Sequence, residues 1–131
     1  MKEESIIIEL PMPPSVNTLF AWKVRRYKSD KYKAWILEAI NSFNKIPTKY
    51  NIKWDEWLEV HLNYFFSLYT KKWDKRIKDT DNYCKATLDF LCDNIEGLQD
   101  HKIKRIIQEK HDSDKNIVKI LIKEMPNEKN L

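Results

Sequence analysis

From residue 57 to residue 69 the chain alternates at first (Trp57, Leu58, Glu59, Val60, His61, Leu62, Asn63) and then runs almost continuously apolar and aromatic to Tyr69. Alternation with period two marks a strand, and an unbroken apolar run marks a strand buried on both faces. The segment therefore predicts a central strand around which the rest of the chain must be arranged. Immediately after it comes a run of a different character, Lys71-Lys72-Trp73-Asp74-Lys75-Arg76-Ile77-Lys78, which reads as a basic loop.

The other elements follow from the same signals. Residues 5 to 10 form a β-branched run closed by Pro11-Met12-Pro13-Pro14, a first strand ending in a rigid extended segment, because proline fixes φ and removes the ladder donor. Ser15-Val16-Asn17 continues as loop. Ser29 is a natural N-cap, and Tyr32, Ile36, Ala39, Ile40 and Phe43 recur at helical spacing until Pro47, predicting a first amphipathic helix. Cys84, Leu88, Leu91, Cys92 and Ile95 mark a second one, beginning near Thr80 or Asp81 and ending at Gly97, the only glycine in the chain. Residues 103 to 111 and 117 to 123 are strand-like, and Asp112-Ser113-Asp114-Lys115-Asn116 between them predicts an antiparallel hairpin. The expected fold is α+β, a mixed sheet in the order β-α-β-α-β-β with two helices packed on one face.

At 131 residues, 42% hydrophobic with five Trp, six Tyr and five Phe, the chain fits one domain with one core, its tail from residue 126 polar and frayed. Cys84 and Cys92 do not have zinc-knuckle spacing and are read as reduced core residues. Nothing approaches a signal peptide or a membrane span, which predicts a cytoplasmic protein. The net charge is only +4, so total charge argues weakly for a nucleic-acid partner. Its distribution argues harder: basic residues gather at 23 to 33 (Lys23, Arg25, Arg26, Lys28, Lys31, Lys33), at 71 to 78 (Lys71, Lys72, Lys75, Arg76, Lys78) and at 102 to 110.

Those clusters flank Asp79-Thr80-Asp81-Asn82, with Lys85 one helical turn further on. Two readings are open for the acids. They cap the second helix and suit its dipole, or they converge on one divalent ion across the non-helical backbone that enters it. Lys85 is either a surface partner in an i,i+4 ion pair or an ammonium set beside a metal and a scissile phosphate. Asp89 and Asp93 continue the stripe as a solvated face that pairs with Lys85. Asp100 follows at the far end: a helix from 81 to 96 is roughly 24 Å long, so within one subunit Asp100 should lie far from Asp81. A two-fold dimer that brings Asp100 of one subunit to the Asp79/Asp81 pair of the other resolves the difficulty. Trp22, Tyr27 and Trp73 are either partly buried or available to stack on bases. His61, His101 and His111 have no ligand spacing and are assigned to no metal.

The chain resembles the RusA family of Holliday junction resolvases, endodeoxyribonucleases of phages and prophages. The likeness rests on Leu10-Pro11-Met12-Pro13-Pro14-Ser15-Val16-Asn17, similar to the family's L-P-x-P-P-S-x-N opening, on Asp79-Thr80-Asp81-Asn82 with Lys85 (D-x-D-N-x-x-K), and on Asp100 followed by Lys102 and Ile103. It implies a small homodimer that binds four-way DNA junctions and nicks opposing strands symmetrically with Mg²⁺, or Mn²⁺, in recombination and repair. It also implies Asp79, Asp81 and Asp100 as metal ligands and Lys85 as the catalytic lysine. Asn17 and Asn82 match the motifs without an assignable role. Where the family often has a further acid before the third aspartate, this chain has Gln99. The basic residues at 23 to 26 and 71 to 78 would neutralise DNA phosphates. The competing readings are a non-catalytic binder of branched or single-stranded DNA, and a structural partner of the recombination machinery.

Overall fold

The computed structural model describes residues 5–15, 19–22, 26–45, 57–69 and 81–125. In chain order the elements are β1 (Ser5–Pro11), β2 (Phe20–Trp22), β3 (Arg26–Lys28), α1 (Asp30–Asn44), β4 (Leu58–Phe66), α2 (Asp81–Asn94), β5 (Ile103–Asp112) and β6 (Ile117–Glu124). A single 3-10 turn, Asp100–Lys102, leads into β5.

Four strands form one mixed sheet in the order β1-β6-β4-β5, and β2 and β3 pair separately as a two-stranded ladder. β4 and β5 run parallel, since α2 carries the chain back from the end of one to the start of the other, as a parallel pair requires. β6 is antiparallel to both β1 and β4. The expected β5–β6 hairpin therefore does not form, because β4 lies between the two strands. Turn-forming residues signal a reversal without naming the neighbour. The connection crosses the end of β4, where the Ser113 N–H donates to the Phe66 carbonyl at 3.0 Å. Seated between β1 and β4, β6 buries Val118, Ile120 and Ile122. A place at the rim beyond β5 would leave them half-covered.

Both helices pack on one face. Ile6, Ile8 and Leu10 of β1 stand in register with Ile122, Ile120 and Val118 of β6, and these with Val60, Leu62 and Tyr64 of β4. All are buried in one cluster with Tyr32, Trp35 and Ala39 of α1 and Ala86, Phe90 and Leu91 of α2. Each fully buried aliphatic side chain contributes roughly 1.5–3 kcal/mol. The opposite face of β4 is not covered as its apolar run implied: His61, Asn63 and Phe65 are only half-buried. Phe65 belongs to that open face, where its ring stacks on His111 at 4.7 Å and Lys119 Nζ lies 5.2 Å from its centroid.

The helix ends follow local chemistry. Ser29 caps α1, its hydroxyl oxygen accepting from the Tyr32 N–H at 3.1 Å. α2 stops at Asn94, earlier than the predicted end at Gly97, which instead takes φ 87° in the turn closed by the Leu98 N–H on the Ile95 carbonyl. The β2–β3 ladder, with Phe20 opposite Lys28, lies in a stretch before Ser29 to which the sequence reading assigned no element.

β1, β4 and β5 all finish at one end of the sheet, here the upper end, and β6 starts there. α2 runs down from that end, so the turn at Asp100–Lys102 lies at the lower end. There Ile95, Gly97 and Leu98 line a small cavity with Ile6 and Leu58, which belong to the lower parts of β1 and β4.

Candidate functional site

At the upper end the chain leaves β1 through the proline segment, which is anchored twice. Trp35 Nε1 donates to the Pro11 carbonyl at 2.9 Å, and the Met12 N–H donates to the Asn116 carbonyl at 2.9 Å. Pro13 and Pro14 are buried. This segment forms one wall of a cleft of about 500 Å³, with Trp35 and Lys31 of α1, Phe66 at the end of β4, and Tyr83 of α2. Tyr83 is held by its ring, 5.6 Å from Tyr64 and 6.2 Å from Phe66, and burial pushes its phenol above the usual range. Asp81 and Asn82 are the first two residues of α2, immediately ahead of Tyr83. The proline motif and the head of the Asp81 helix, distant in sequence, therefore share one corner of the molecule. Asp79 and Asn17 lie outside the described residues, and of Asp81 and Asn82 only the backbone is described.

Lys85, one turn down α2, is exposed and holds Asp89, with Nζ 3.2 Å from Oδ2. With the two side chains 44% and 48% exposed, such a pair contributes about 0–1 kcal/mol. It leaves the ammonium easily reoriented.

Asp100 is at the other end. Burial pushes the Cys92 thiol up to about 11, and the carboxylates of Asp100, Asp89 and Asp93 reinforce the shift. Asp100 thus sits near the last turn of α2, beside a residue about 16 Å along the helix axis from Asp81 by helical rise. Asp89 and Asp93 act on α1 as well: burial, then these two charges, raise the Tyr32 phenol. Among the described residues no three His, Cys, Asp or Glu side chains gather as a metal site. Neither Cys84 nor Cys92 is in a disulfide, and both are half-buried against the core.

Of the expected DNA-binding residues, Lys23, Arg25, Lys71, Lys72, Lys75, Arg76 and Lys78 lie outside the described residues, as does Trp73. Arg26 and Trp22 are placed in β3 and β2 by backbone alone. Lys28 Nζ lies 5.5 Å from the Tyr32 ring centroid, and Tyr27 is exposed. His61, His101 and His111 lie apart, on β4, in the 3-10 turn and on β5.

A second charged constellation, unanticipated from the sequence, occupies the open face of the sheet. Glu59, nearly buried, receives Arg105 Nη1 at 3.1 Å, Lys123 Nζ at 3.2 Å and His61 Nε2 at 3.3 Å. The His61 contact is off-axis and does not form an aligned hydrogen bond. Burial alone would raise the Glu59 carboxyl, but Arg105, His61 and Lys123 together hold it down to about 2. The partners come from three strands, so no local spacing could reveal the cluster. The sequence reading also passed over Trp35, which is buried; its aromatic type at the helical step after Tyr32 was the available signal.

The proline segment and the head of α2 share the end where the parallel strands finish, the end at which sheets with helical crossovers usually form their sites, while Asp100 lies at the other. The chain belongs to the RusA family of endodeoxyribonucleases: the family model described as endodeoxyribonuclease RusA matches residues 11–123. That span contains the proline segment, Asp79, Asp81, Lys85 and Asp100. No individually curated protein matches the chain. No helix among the described residues is long and apolar enough to cross a membrane.

Proposed function

We propose that the chain is a divalent-metal-dependent endonuclease that resolves four-way DNA junctions as a homodimer in the cytoplasm, nicking opposing strands symmetrically. Beside family membership, one observation carries this reading: the proline segment and the head of the Asp81 helix form one corner, with a cleft between them. Asp79, Asp81 and Asp100 would hold Mg²⁺, or Mn²⁺, whose preference is for hard carboxylate oxygens. Such an ion supplies an activated water and stabilises the departing oxygen of a phosphodiester. Lys85, exposed and weakly paired, can turn from Asp89 to the phosphate and offset the charge that builds there. Arg26, with Lys23, Arg25 and the basic residues from Lys71 to Lys78, would neutralise the flanking phosphates, and Trp22, Tyr27 or Trp73 would stack at the branch point. The Gln99 position gives the chain no fourth acid before Asp100.

One observation favours the rival reading, a binder of branched or single-stranded DNA that does not cut. Within one protomer Asp100 lies with Cys92, well down α2 from Asp81. A labelled synthetic four-way junction separates the two. With Mg²⁺, the nuclease reading expects paired nicks at symmetric positions; a junction bound tightly and left intact would sink it.

A further inference from the structure

The cleft at the upper end has a lining unlike that of a groove for phosphates. Its floor is largely apolar, made by the buried Trp35, Phe66 and Tyr83 with Pro13 and Pro14 along one side. Phosphate oxygens taken out of water onto such a surface would be short of donors. The charged groups stand only at the margin, where Lys31 and Glu38 of α1 are exposed. At about 500 Å³ the space is of the size that holds small, flat, mostly apolar groups.

A nucleobase has the matching character, apolar on its two faces and polar along its edge. In a duplex both faces are covered by neighbouring bases, so only an unpaired or extruded base has one to offer. We propose that the cleft takes a single unpaired nucleobase from the branch point of the junction, seated between the proline segment and the Trp35 face of α1. The proposal rests on the nuclease reading and adds to it the part of the substrate that the cleft itself holds. Linear duplex has no such base to give, so the same site favours branched over linear DNA.

The margin fits the two parts of a nucleotide. Lys31 and Glu38 lie seven residues apart on α1, roughly 10 Å along its axis, with Ala34 and Trp35 between them. Lys31 is a cation for a phosphate flanking the base. Glu38 can only accept, and a carboxylate beside a polyanion is explained where a base edge presents N–H donors to it. Tyr83, in the floor, follows Asp81 by two residues, about 3 Å of helical rise. A base seated there therefore keeps its own backbone next to the head of α2. The wall is fixed in advance, because Trp35 Nε1 and the Asn116 carbonyl hold the proline segment and Tyr83 packs on Tyr64 and Phe66. A site already ordered spends little of its binding energy on ordering.

Binding measurements in metal-free buffer, where no strand is cut, test this. Ala34 lines the cleft from an exposed position on α1, so Ala34→Trp fills the space without entering the core. Abasic nucleotides are placed at each symmetric pair of branch-point positions of a synthetic four-way junction in turn. At one pair, wild-type chain should bind about 10-fold more weakly than to the intact junction, the size expected for one stacked base. Ala34→Trp should lose about the same 10-fold on the intact junction, bind intact and abasic junctions alike, and bind linear duplex as wild type does. Wild-type chain indifferent to abasic nucleotides at every pair overturns the proposal, as does Ala34→Trp chain that binds the intact junction at full strength. An equal loss on linear duplex also overturns it, since the cleft would then hold backbone. Wild-type chain that binds junctions without cutting them once Mg²⁺ is added defeats the nuclease reading instead, and leaves the binding results to judge the base site alone.

Discussion

The two ends of the sheet are built in opposite ways. The upper end is anchored: Trp35 and Asn116 pin the proline segment, Asp112 pins the exit from β4, and Tyr83 seats the first turn of α2 on Tyr64 and Phe66. The lower end carries a 3-10 turn with no buried residue, and its acids lie exposed around Cys92. Catalytic positioning requires side chains held by packing, and the upper end supplies anchored backbone and a seated first turn of α2 where the lower end offers an exposed turn. On the proposed reading, Asp100 would contribute to the anchored corner and would not form a centre of its own.

The largest expected effect comes from breaking the upper end's chemistry. On the proposed reading, Asp81→Asn should lower junction cleavage by at least ~10³-fold while binding holds or tightens, since the site would lose a metal ligand and a negative charge near the DNA. Gel-based cleavage and binding assays on one preparation check both; equal loss of binding would make Asp81 structural. Lys85→Ala should cost about 10²-fold in cleavage and under ~0.5 kcal/mol in stability, because the Asp89 pair it breaks is exposed. A stability loss without a rate loss would mean that the ion pair is all Lys85 does.

Trp35→Phe separates anchoring from chemistry. It keeps the ring but removes the bond to the Pro11 carbonyl, so it should cost ~1 kcal/mol in denaturant melts and slow cleavage by a few fold. Unchanged cleavage would show that the proline segment does not position DNA.

The open face offers a pH test. The folded Glu59 carboxyl lies at about 2, below its ordinary value of 4.5. Its contribution is therefore complete above about 4.5 and is lost as pH falls from there toward 2, because protonation is easier in the unfolded chain. Glu59→Gln should flatten that part of the acid-unfolding curve and cost about 1 kcal/mol at neutral pH.

The smallest effect is at Cys92. With Asp100→Asn one of the charges that raise the thiol is gone, so alkylation of Cys92 at fixed mildly alkaline pH should quicken, with Cys84 as the internal standard. An unchanged rate would place Asp100 away from α2.

Much of the fold was legible from periodicity. Tyr32 and Ala39 at helical steps behind a Ser29 cap marked α1, and runs rich in β-branched residues marked β1 and β6. Three-residue strands such as β2 and β3 are too short to show a period. The partner of β5 was not legible because the turn residues at 112 to 116 fix a reversal and leave pairing to burial, and β6 buries more against β1 and β4. At the site, residue type and spacing singled out Asp79, Asp81 and Lys85. The separation of Asp100 from the head of α2 is a matter of helix length, readable from the residues between them. The corner shared with the proline segment was not readable, since it is made by the sheet's parallel strands ending together.

In the proposed site Asp81 and Asp100, at opposite ends of one protomer, would serve a single ion. Mn²⁺ titration followed by electron paramagnetic resonance tests it without any need for cleavage. Wild-type chain should take up one tight class of ion, and Asp81→Asn and Asp100→Asn should each weaken it by at least the ~10–100-fold that losing an outer-sphere partner costs. Asp100→Asn chain that binds Mn²⁺ as wild type does, beside an Asp81→Asn chain that does not, would contradict the claim and leave Asp100 outside the site.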